Sequence, residues 1–139
     1  MIATVAPAGV RALADRLVGF LESGRILPGL FAPDVFLDLT LPRWRLQASG
    51  PDGVLIARRG GHPDPGRVPR SRVDPIPTGF VLEAEETWRD GAGEQWYCRE
   101  MFRADVGPEG ITRLSVYCTG DWDAARIAEH AREVRLIEP

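Results

Sequence analysis

The sequence contains no lysine and no asparagine, so its basic side chains are arginines and two histidines. Without lysine, the chain cannot form a lysine Schiff base with a carbonyl substrate or hold pyridoxal phosphate through one. It also lacks any apolar run near the ~20 residues of a membrane span, and its N-terminus lacks a charged segment followed by an apolar one. These absences predict a cytoplasmic protein with no membrane partner and no lysine-bound cofactor.

An excess of positive charge is also missing. The formal net charge is −3 over 139 residues, and no block of like charge occurs in the chain. A protein that binds nucleic-acid phosphates needs a basic surface, so we expect no nucleic-acid partner. The length suits one hydrophobic core, and we therefore predict a single domain over residues 1–139.

Residue types that bind metals are few. The two histidines, His62 and His130, lie far apart, and the two cysteines, Cys98 and Cys118, belong to no CxxC motif. These ligands are too few and too widely spaced for a zinc site, so the sequence predicts no metal and no cofactor. In a reducing cytoplasm the cysteines are expected to be buried free thiols, with a cross-strand disulfide as the alternative.

The chain does contain a dense run of strand-forming residues between Gly79 and Gly120. Aromatic and branched residues predict strands over 80–88, 95–105 and 111–119, separated by glycine-containing turns. These are two successive hairpins. The turn centres pair residues whose numbers add up to 184 in the first hairpin and 216 in the second, which places Cys98 opposite Cys118.

This register sorts the side chains into two faces of the sheet. The face that we call apolar has Glu86 and Glu100 as its only acids and otherwise carries Phe80, Leu82, Ala84, Trp88, Trp96, Cys98, Phe102, Ala104, Leu114, Val116 and Cys118. The face that we call polar carries Val81, Glu83, Glu85, Thr87, Tyr97, Arg99, Met101, Arg103, Arg113, Ser115 and Tyr117.

The remaining segments predict helices around this meander and one further strand. Apolar residues at helical spacing predict an amphipathic first helix over 7–23. Before the meander, the sequence predicts a helical turn over 26–31, a strand over 35–41 and a short helix over 54–59. A Pro-rich crossover over 62–78, with at most a short irregular strand, then leads into the meander. After it, we expect a last helix over 122–132 capped by Thr119 or Asp121, and an apolar tail over 134–137 that packs or adds a strand.

Two segments carry a resemblance to a known family. LFAPDVFLDLTLP after the first helix and GITRLSVYCTGDWD after a hairpin resemble the nuclear transport factor 2-like superfamily, also called SnoaL-like. The resemblance implies an α+β fold in which a cone-shaped, curved antiparallel sheet wraps around the long N-terminal helix. It also implies a ligand cavity between them and a homodimer. The superfamily includes steroid isomerases, epoxide hydrolases, polyketide cyclases, dehydratases and non-catalytic members, so the reaction stays open.

The functional residues of the family carry over only in part. The base of the steroid-isomerase pattern falls on Leu39, one residue past Asp38, and the first helix has no tyrosine where that pattern has one. Glu100 could stand in for its second acid. The epoxide-hydrolase pattern needs an asparagine, which this chain lacks. Glu85 opposite Arg99 could supply its carboxylate–arginine contact or could be a plain cross-strand ion pair.

Two arrangements of the cavity remain open at this point. If the apolar face lines the cavity, Glu100 is a desolvated carboxyl with a raised pKa. If the polar face lines it, Glu85, Arg99 and Tyr117 form a polar pocket. Residue patterning favours the first arrangement, whereas the family resemblance favours Tyr117 pointing inward.

We therefore predict a cofactor-independent enzyme that cyclises, isomerises or dehydrates a small apolar or aromatic metabolite, a role compatible with secondary metabolism. The alternative is a non-catalytic module for ligand binding or dimerisation. Asp38 and Glu100 are the candidates for proton transfer, and Tyr117 is the candidate for a hydrogen bond to a developing oxyanion. The candidate substrate contacts are Trp44 as a stacking wall, His62 as a lid residue, Glu85 and Arg99.

Overall fold

The computed structural model describes residues 7–139, which form three helices and six strands. In chain order these are α1 (Pro7–Ser23), β1 (Phe31–Thr40), β2 (Arg45–Ser49), α2 (Gly50–Gly61), β3 (Gly66–Ile76), β4 (Gly79–Arg89), β5 (Gln95–Gly107), β6 (Gly110–Cys118) and α3 (Ala124–Glu133). Within this range, every helix is too short or too polar to cross a lipid bilayer.

A curved six-stranded sheet organises the fold. Its strand order is β2-β1-β6-β5-β4-β3. Neighbouring strands are antiparallel except β1 and β6, which run parallel. Helix α1 packs against β3 and β4, and α2 packs against β1 and β2. The result is an α+β cone, as expected, with the sheet curving around the first helix and the meander β4–β5–β6 as one wall.

The hydrophobic core lies between α1 and one face of the sheet. The helix contributes the residues that helical spacing predicted, and the sheet contributes most of the apolar face. The buried set includes Val10, Leu13, Leu17 and Leu21 from α1, and Phe80, Leu82, Ala84, Phe102, Ala104, Leu114 and Val116 from the meander. The apolar face is therefore the inner face of the cone, and the polar face is its outer face.

The register of the first hairpin is confirmed, and that of the second is not. Ala84 pairs with Glu100, as the sum of 184 requires. In the second hairpin Glu100 lies opposite Cys118, so the partner numbers add up to 218. The turn pairs Gly107 with Gly110, a sum of 217, and a β-bulge between Asp105 and Val106 adds the second residue of this offset of two. Because the offset is even, each side chain stays on its predicted face.

The two edge strands are the elements that the sequence pattern missed. Strand β2 is short and mostly exposed, so it lacks a clear hydrophobic alternation. Strand β3 fills most of the segment predicted as a Pro-rich crossover. Its Pro69 and Pro75 are tolerated because β3 pairs only with β4 and has a bulge between Arg67 and Arg70. An edge strand can omit these backbone N–H donors without breaking a second ladder.

Two predictions around β1 also need correction. The helical turn predicted over 26–31 does not form, because β1 begins at Phe31 and the residues before it make an irregular connection. Residues 49–52 predict the start of a short helix whose body is 54–59, and α2 begins there, at Gly50 with Pro51 in its first turn, but ends two residues later than predicted, at Gly61. Proline fits in the first turn because the first helical N–H groups have no partner within the helix.

The C-terminal helix forms close to where it was predicted, with a different cap. The carboxylate of Asp123 accepts the backbone N–H of Arg126 at 2.8 Å. The tail over 134–137 adds no strand, and Ile137 is almost fully exposed. The expectation that this tail packs or extends the sheet is therefore wrong for the described chain.

Candidate functional site

A cavity of about 620 Å³ lies between α1, α2 and the inner face of the sheet. Most of its wall is aliphatic or aromatic, with Leu17, Phe20, Leu21, Leu37, Val54, Phe102, Leu114 and Val116 among the lining residues. A smaller polar group on the same wall consists of Arg58, His62, Glu100, Cys118 and Asp121, and the exposed Arg43 between β1 and β2 also lines the cavity. A mainly apolar pocket with a few convergent polar groups is typical of a small-molecule site.

Glu100 is the acid on this cavity wall with no cation of its own. It points inward because it alternates with Arg99 along β5, and it is only 7% exposed. The thiol of Cys98 donates to Glu100 Oε1 at 3.0 Å, and the same sulfur lies 3.9 Å from Glu86 Oε2. Among residues 7–139, no arginine or histidine makes an ion pair with Glu100.

The neighbouring acid, Glu86, has different surroundings. Arg58 donates through Nη1 to Glu86 Oε2 at 3.0 Å and through Nη2 to Oε1 at 2.5 Å. The same Nη2 donates to the backbone carbonyl of Leu21 at 2.5 Å. With 12% and 3% of the two side chains exposed, this is a buried ion pair that joins α2, α1 and β4.

These surroundings give the two carboxyls different acidities. Burial, the hydrogen bond to Glu86 and the negative charge of Glu86 raise the pKa of Glu100 well above its ordinary value. Burial also acts to raise the pKa of Glu86, but hydrogen bonds to Glu100 and Arg58 and the charge of Arg58 outweigh it and lower that pKa. Glu100 therefore keeps its proton under conditions in which Glu86 is ionised.

The two cysteines lie beside this acid pair as free thiols. The interaction with the Cys98 side chain lowers the pKa of Cys118, and the backbone N–H of Gly120, 3.4 Å from the Cys118 sulfur, acts in the same direction. The same thiol contact and burial raise the pKa of Cys98. Cys98 and Cys118 are not directly opposed in the observed register, which is why the cross-strand disulfide is not formed.

His62 follows α2 and stands on the cavity wall. Its ring lies against Trp88, with 4.0 Å between the ring centroids. Its Nε2 is 2.9 Å from Oδ1 of Asp121, and its Nδ1 is 4.0 Å from Oε1 of Glu86. The sequence predicted His62 as a lid residue. The structure gives it an oriented position next to the acid pair, where it is a second group able to exchange a proton.

Trp44 lies at the mouth of the cavity. It belongs to the turn between β1 and β2, lines the cavity, and is 67% exposed. Two other exposed apolar residues, Leu46 and Ile56, line the same opening. This is the location that the sequence predicted for an aromatic wall, while contact with a substrate stays a prediction.

Asp38 does not lie in the cavity, which corrects its proposed place beside Glu100. Alternation along β1 turns Leu37 and Leu39 toward the cavity and Asp38 toward the outer face. Arg45 on β2 donates to both carboxylate oxygens of Asp38, at 3.0 Å and 2.7 Å. These hydrogen bonds and the charge of Arg45 lower the pKa of Asp38, so it is an ionised, paired carboxylate.

Tyr117 is also on the outer face, so the inward orientation that the resemblance implied is wrong. It is 62% exposed. Strand β6 alternates, and its neighbour Val116 takes the inner position. Tyr117 therefore points away from the cavity that holds Glu100, and the structure does not bring the three predicted catalytic residues together.

The expected contact between Glu85 and Arg99 does not form either. The two residues lie directly opposite each other in β4 and β5, yet their side chains form ion pairs with other residues. Arg99 donates to Glu83 at 2.7 Å, and Arg70 on β3 donates to both oxygens of Glu85 at 3.2 Å and 3.0 Å. Both ion pairs lie on the outer face, so neither residue reaches the cavity as a substrate contact.

Two overlapping groups have spacings that a metal ion could use. The ligand atoms of His62, Glu86 and Cys98 lie within 4.8 Å of one another, as do those of Cys98, Cys118 and Asp121. A metal in the first group would compete with the guanidinium of Arg58 for Glu86. A metal in either group would have to deprotonate Cys98, which already donates to Glu100. We therefore assign no metal to these residues.

Sequence reasoning missed two residues of this site. It placed Glu86 on the correct face without a partner, and it assigned Arg58 no role in the site. One signal was available for Arg58. It lies four residues after Val54, and residues at that spacing share a helix face. Val54 is buried, so the arginine had to be directed toward the interior.

Comparison by sequence finds no relatives. No protein-family model matches the chain, and no curated protein matches it. The fold does have solved counterparts.

A nuclear transport factor 2-like protein from Anabaena variabilis ATCC 29413 is 14% identical, with a TM-score of 0.65 over 87% of this chain and 97% of that one. One from Burkholderia xenovorans LB400 is 12% identical, with a TM-score of 0.62 over 93% and 98% of the two chains. A candidate polyketide cyclase from Pseudomonas putida KT2440 is 13% identical, with a TM-score of 0.60 over 86% and 96%. At these identities the likeness concerns the fold.

Proposed function

Because the chain has the cone fold of the nuclear transport factor 2-like (SnoaL-like) proteins, we propose that it is an enzyme. It carries out acid–base chemistry on a small apolar metabolite without a cofactor. The reaction is a cyclisation, an isomerisation or a dehydration, in which an oxygen of the substrate gains a proton and a carbon loses one. The similarity to a candidate polyketide cyclase supports this class of reaction by analogy only.

One observation carries the proposal. Glu100 is a carboxyl on the wall of an apolar cavity, it has no cationic partner in the described chain, and its pKa is raised. A carboxyl that keeps its proton above the usual pKa range of glutamate can donate a hydrogen bond or a proton to a carbonyl or hydroxyl oxygen. In a purely structural role, a buried glutamate would more often be paired with a cation, as Glu86 is.

The shape and chemistry of the cavity support the substrate class. A volume of about 620 Å³ accommodates a small organic molecule, and the aliphatic wall favours an apolar body. A substrate with one polar oxygen could direct it to Glu100, while its apolar part contacts α1 and the mouth near Trp44. His62, oriented by Asp121, is the group on the same wall that could accept the proton released from carbon.

Deuterium exchange tests this function without knowledge of the natural substrate. The protein is incubated in D₂O with a panel of small cyclic ketones, and exchange at the carbon next to the carbonyl is followed by NMR. We expect the Glu100→Gln variant to lower the exchange rate about 100-fold or more, since a general acid contributes at least that factor. Asp38→Asn, on the outer face, should exchange at the wild-type rate.

The opposite result would be equally clear. If Glu100→Gln binds the ketones and exchanges them as fast as the wild-type protein, Glu100 is not the acid. If the wild-type protein binds them with no exchange above the solvent rate, the second candidate function, a non-catalytic ligand-binding module, is favoured. One feature supports that candidate: Cys98 and Glu86 already satisfy the carboxyl of Glu100 by hydrogen bonds.

A further inference from the structure

Arg58 and Glu86 are charged residues in a place where the fold alone gives them little reason to be. Arg58 lines the apolar cavity, Glu86 is paired with it, and both side chains are largely removed from water. Two ions in such a place lose their hydration, and an apolar pair of similar volume often stabilises a fold equally well. The neighbouring acid Glu100, which contacts the same Cys98 sulfur as Glu86, indicates what this ion pair does instead.

We propose that the Arg58–Glu86 ion pair is a positioning device that keeps the proton shared by the two carboxyls on Glu100. Arg58 does not touch the substrate under this proposal and acts through Glu86. The inference rests on the proposed function for its purpose, because it explains how the cavity presents a protonated acid. The location of the proton can be measured separately from any turnover.

The hydrogen bonds of Glu86 and Glu100 differ in a way that favours a proton on Glu100. Arg58 uses both of its terminal nitrogens on the two oxygens of Glu86, so a proton on Glu86 would have to compete with a guanidinium donor. Glu100 faces a neutral thiol donor, Cys98, and the ionised Glu86. A proton between the two acids is therefore more stable on Glu100.

A second hydrogen bond holds the Arg58 guanidinium in one orientation. Its Nη2 donates to the carbonyl of Leu21 at the end of α1 as well as to Glu86. This second acceptor fixes the plane of the guanidinium. The arginine is thus directed at Glu86, and its positive charge stabilises the ionised form of Glu86 more than that of Glu100, with which it forms no ion pair.

The other ionisable groups near the pair do not replace this charge. His62, after α2, approaches Glu86 to 4.0 Å and is held by Asp121 from the segment after β6. Cys98 on β5 and Cys118 on β6 contribute thiols. The remaining neighbour, the end of α1, contributes only a backbone carbonyl. Of these groups, Arg58 is the one that carries a positive charge at any pH at which the protein is folded.

Carboxyl ¹³C NMR of protein labelled with glutamate tests the proposal on the full chain. The signals of Glu86 and Glu100 are assigned by their loss in Glu86→Gln and Glu100→Gln. We expect Glu86→Gln to lower the titration midpoint of Glu100 by at least about one pH unit, because it removes the adjacent negative charge. We expect Arg58→Gln to raise the midpoint of Glu86 by at least about the same amount.

Two further variants separate positioning from a structural role. Arg58→Lys retains the charge and should leave both midpoints close to the wild-type values. Arg45→Gln removes an arginine from the outer-face ion pair with Asp38 and should leave both unchanged. If Arg58→Gln proves unstable, Glu86→Gln and Arg58→Lys still decide the question, since both retain a polar partner in the wall.

The proposal is overturned if the Glu100 midpoint stays in place in Glu86→Gln, or if the Glu86 midpoint stays in place in Arg58→Gln. A purely structural ion pair would give that result and change only the unfolding temperature. If the midpoints move as expected and no ketone is exchanged, the proposed function fails while the positioning role stands. Exchange without movement of the midpoints would leave the proposed function and remove the positioning role.

Discussion

Glu86 and Glu100 are the same residue type on the same face of the sheet, and their neighbours give them different protonation states. Strand alternation was sufficient to place both on the inner face from the sequence. Their difference arises from Arg58, which comes from a helix distant in the chain. A periodicity of two along a strand does not indicate which helix packs against it. The sequence therefore predicted both acids on the inner face and did not predict that Arg58 pairs with Glu86.

The pH dependence of stability should depend on Glu100. Its pKa is ordinary in the unfolded chain and raised in the folded one, so the folded state binds the proton more tightly. The stability linked to this proton is fully present below the unfolded pKa and is lost as the pH rises through the folded pKa. Glu100→Gln removes the effect. As the pH rises, the free energy of unfolding of the Glu100→Gln variant should therefore increase relative to that of the wild-type protein, by up to about 1.4 kcal/mol per pH unit.

Urea unfolding of both proteins across mildly acidic to neutral pH measures this difference. Glu83→Gln on the outer face is the matched control and should run parallel to wild type. A constant difference between Glu100→Gln and wild type over that range would mean that Glu100 ionises with an ordinary pKa in the folded protein.

Asp38 and Tyr117, two of the predicted catalytic residues, both lie on the outer face. The resemblance implied an inward Tyr117, but it gave Asp38 no support, since the steroid-isomerase base falls on Leu39. In β1 the buried positions are Val35 and Leu37, which an alternation from Leu37 would have predicted, with Asp38 directed outward. The residue pattern was the better guide in this chain because it depends on burial in this particular sheet.

The elements that the sequence predicted well are those with a strong periodic pattern. Helix α1 and the meander β4–β5–β6 are buried on one side and therefore alternate clearly. Strands β2 and β3 lie at the edges, where polar residues and prolines are allowed, and they were missed. In the second hairpin, each side chain lies on its predicted face but opposite a different residue from the one predicted. The bulge in this hairpin depends on local contacts that the turn residues do not specify.

Gly110 should be required at the start of β6. Its φ is +119°, and a Cβ at this position would lie 2.7 Å from the carbonyl oxygen of Gly29 and 2.8 Å from that of Leu30. We expect Gly110→Ala to destabilise the fold by roughly 2–4 kcal/mol in urea unfolding, because of backbone strain and the clash. This contact holds the start of β6 against the segment before β1.

Gly91→Ala is the matched control, as a Cβ there meets no atom within 4 Å and the residue has no positive φ. Its free energy of unfolding should stay within about 1 kcal/mol of wild type. Equal stability of the two variants would show that β6 can start without the close approach to Leu30.

For the molecule as a whole, the order of the elements was enough to predict the α+β cone, and the packing of α1 then decided which face lines the cavity. The size of the cavity could not be read from the sequence, because it depends on how far α2 and the sheet stand apart. A single domain over 1–139, a homodimer, a cytoplasmic location and a role in secondary metabolism stay predictions.

Infrared spectroscopy at a pH above the ordinary glutamate pKa measures the protonation of Glu100 most directly, since a protonated carboxyl gives a C=O band separate from those of carboxylates and the peptide backbone. We expect that band in the wild-type protein and in Asp38→Asn, and its loss in Glu100→Gln. A wild-type spectrum without the band, or a band that persists in Glu100→Gln, would contradict a protonated Glu100 in the cavity.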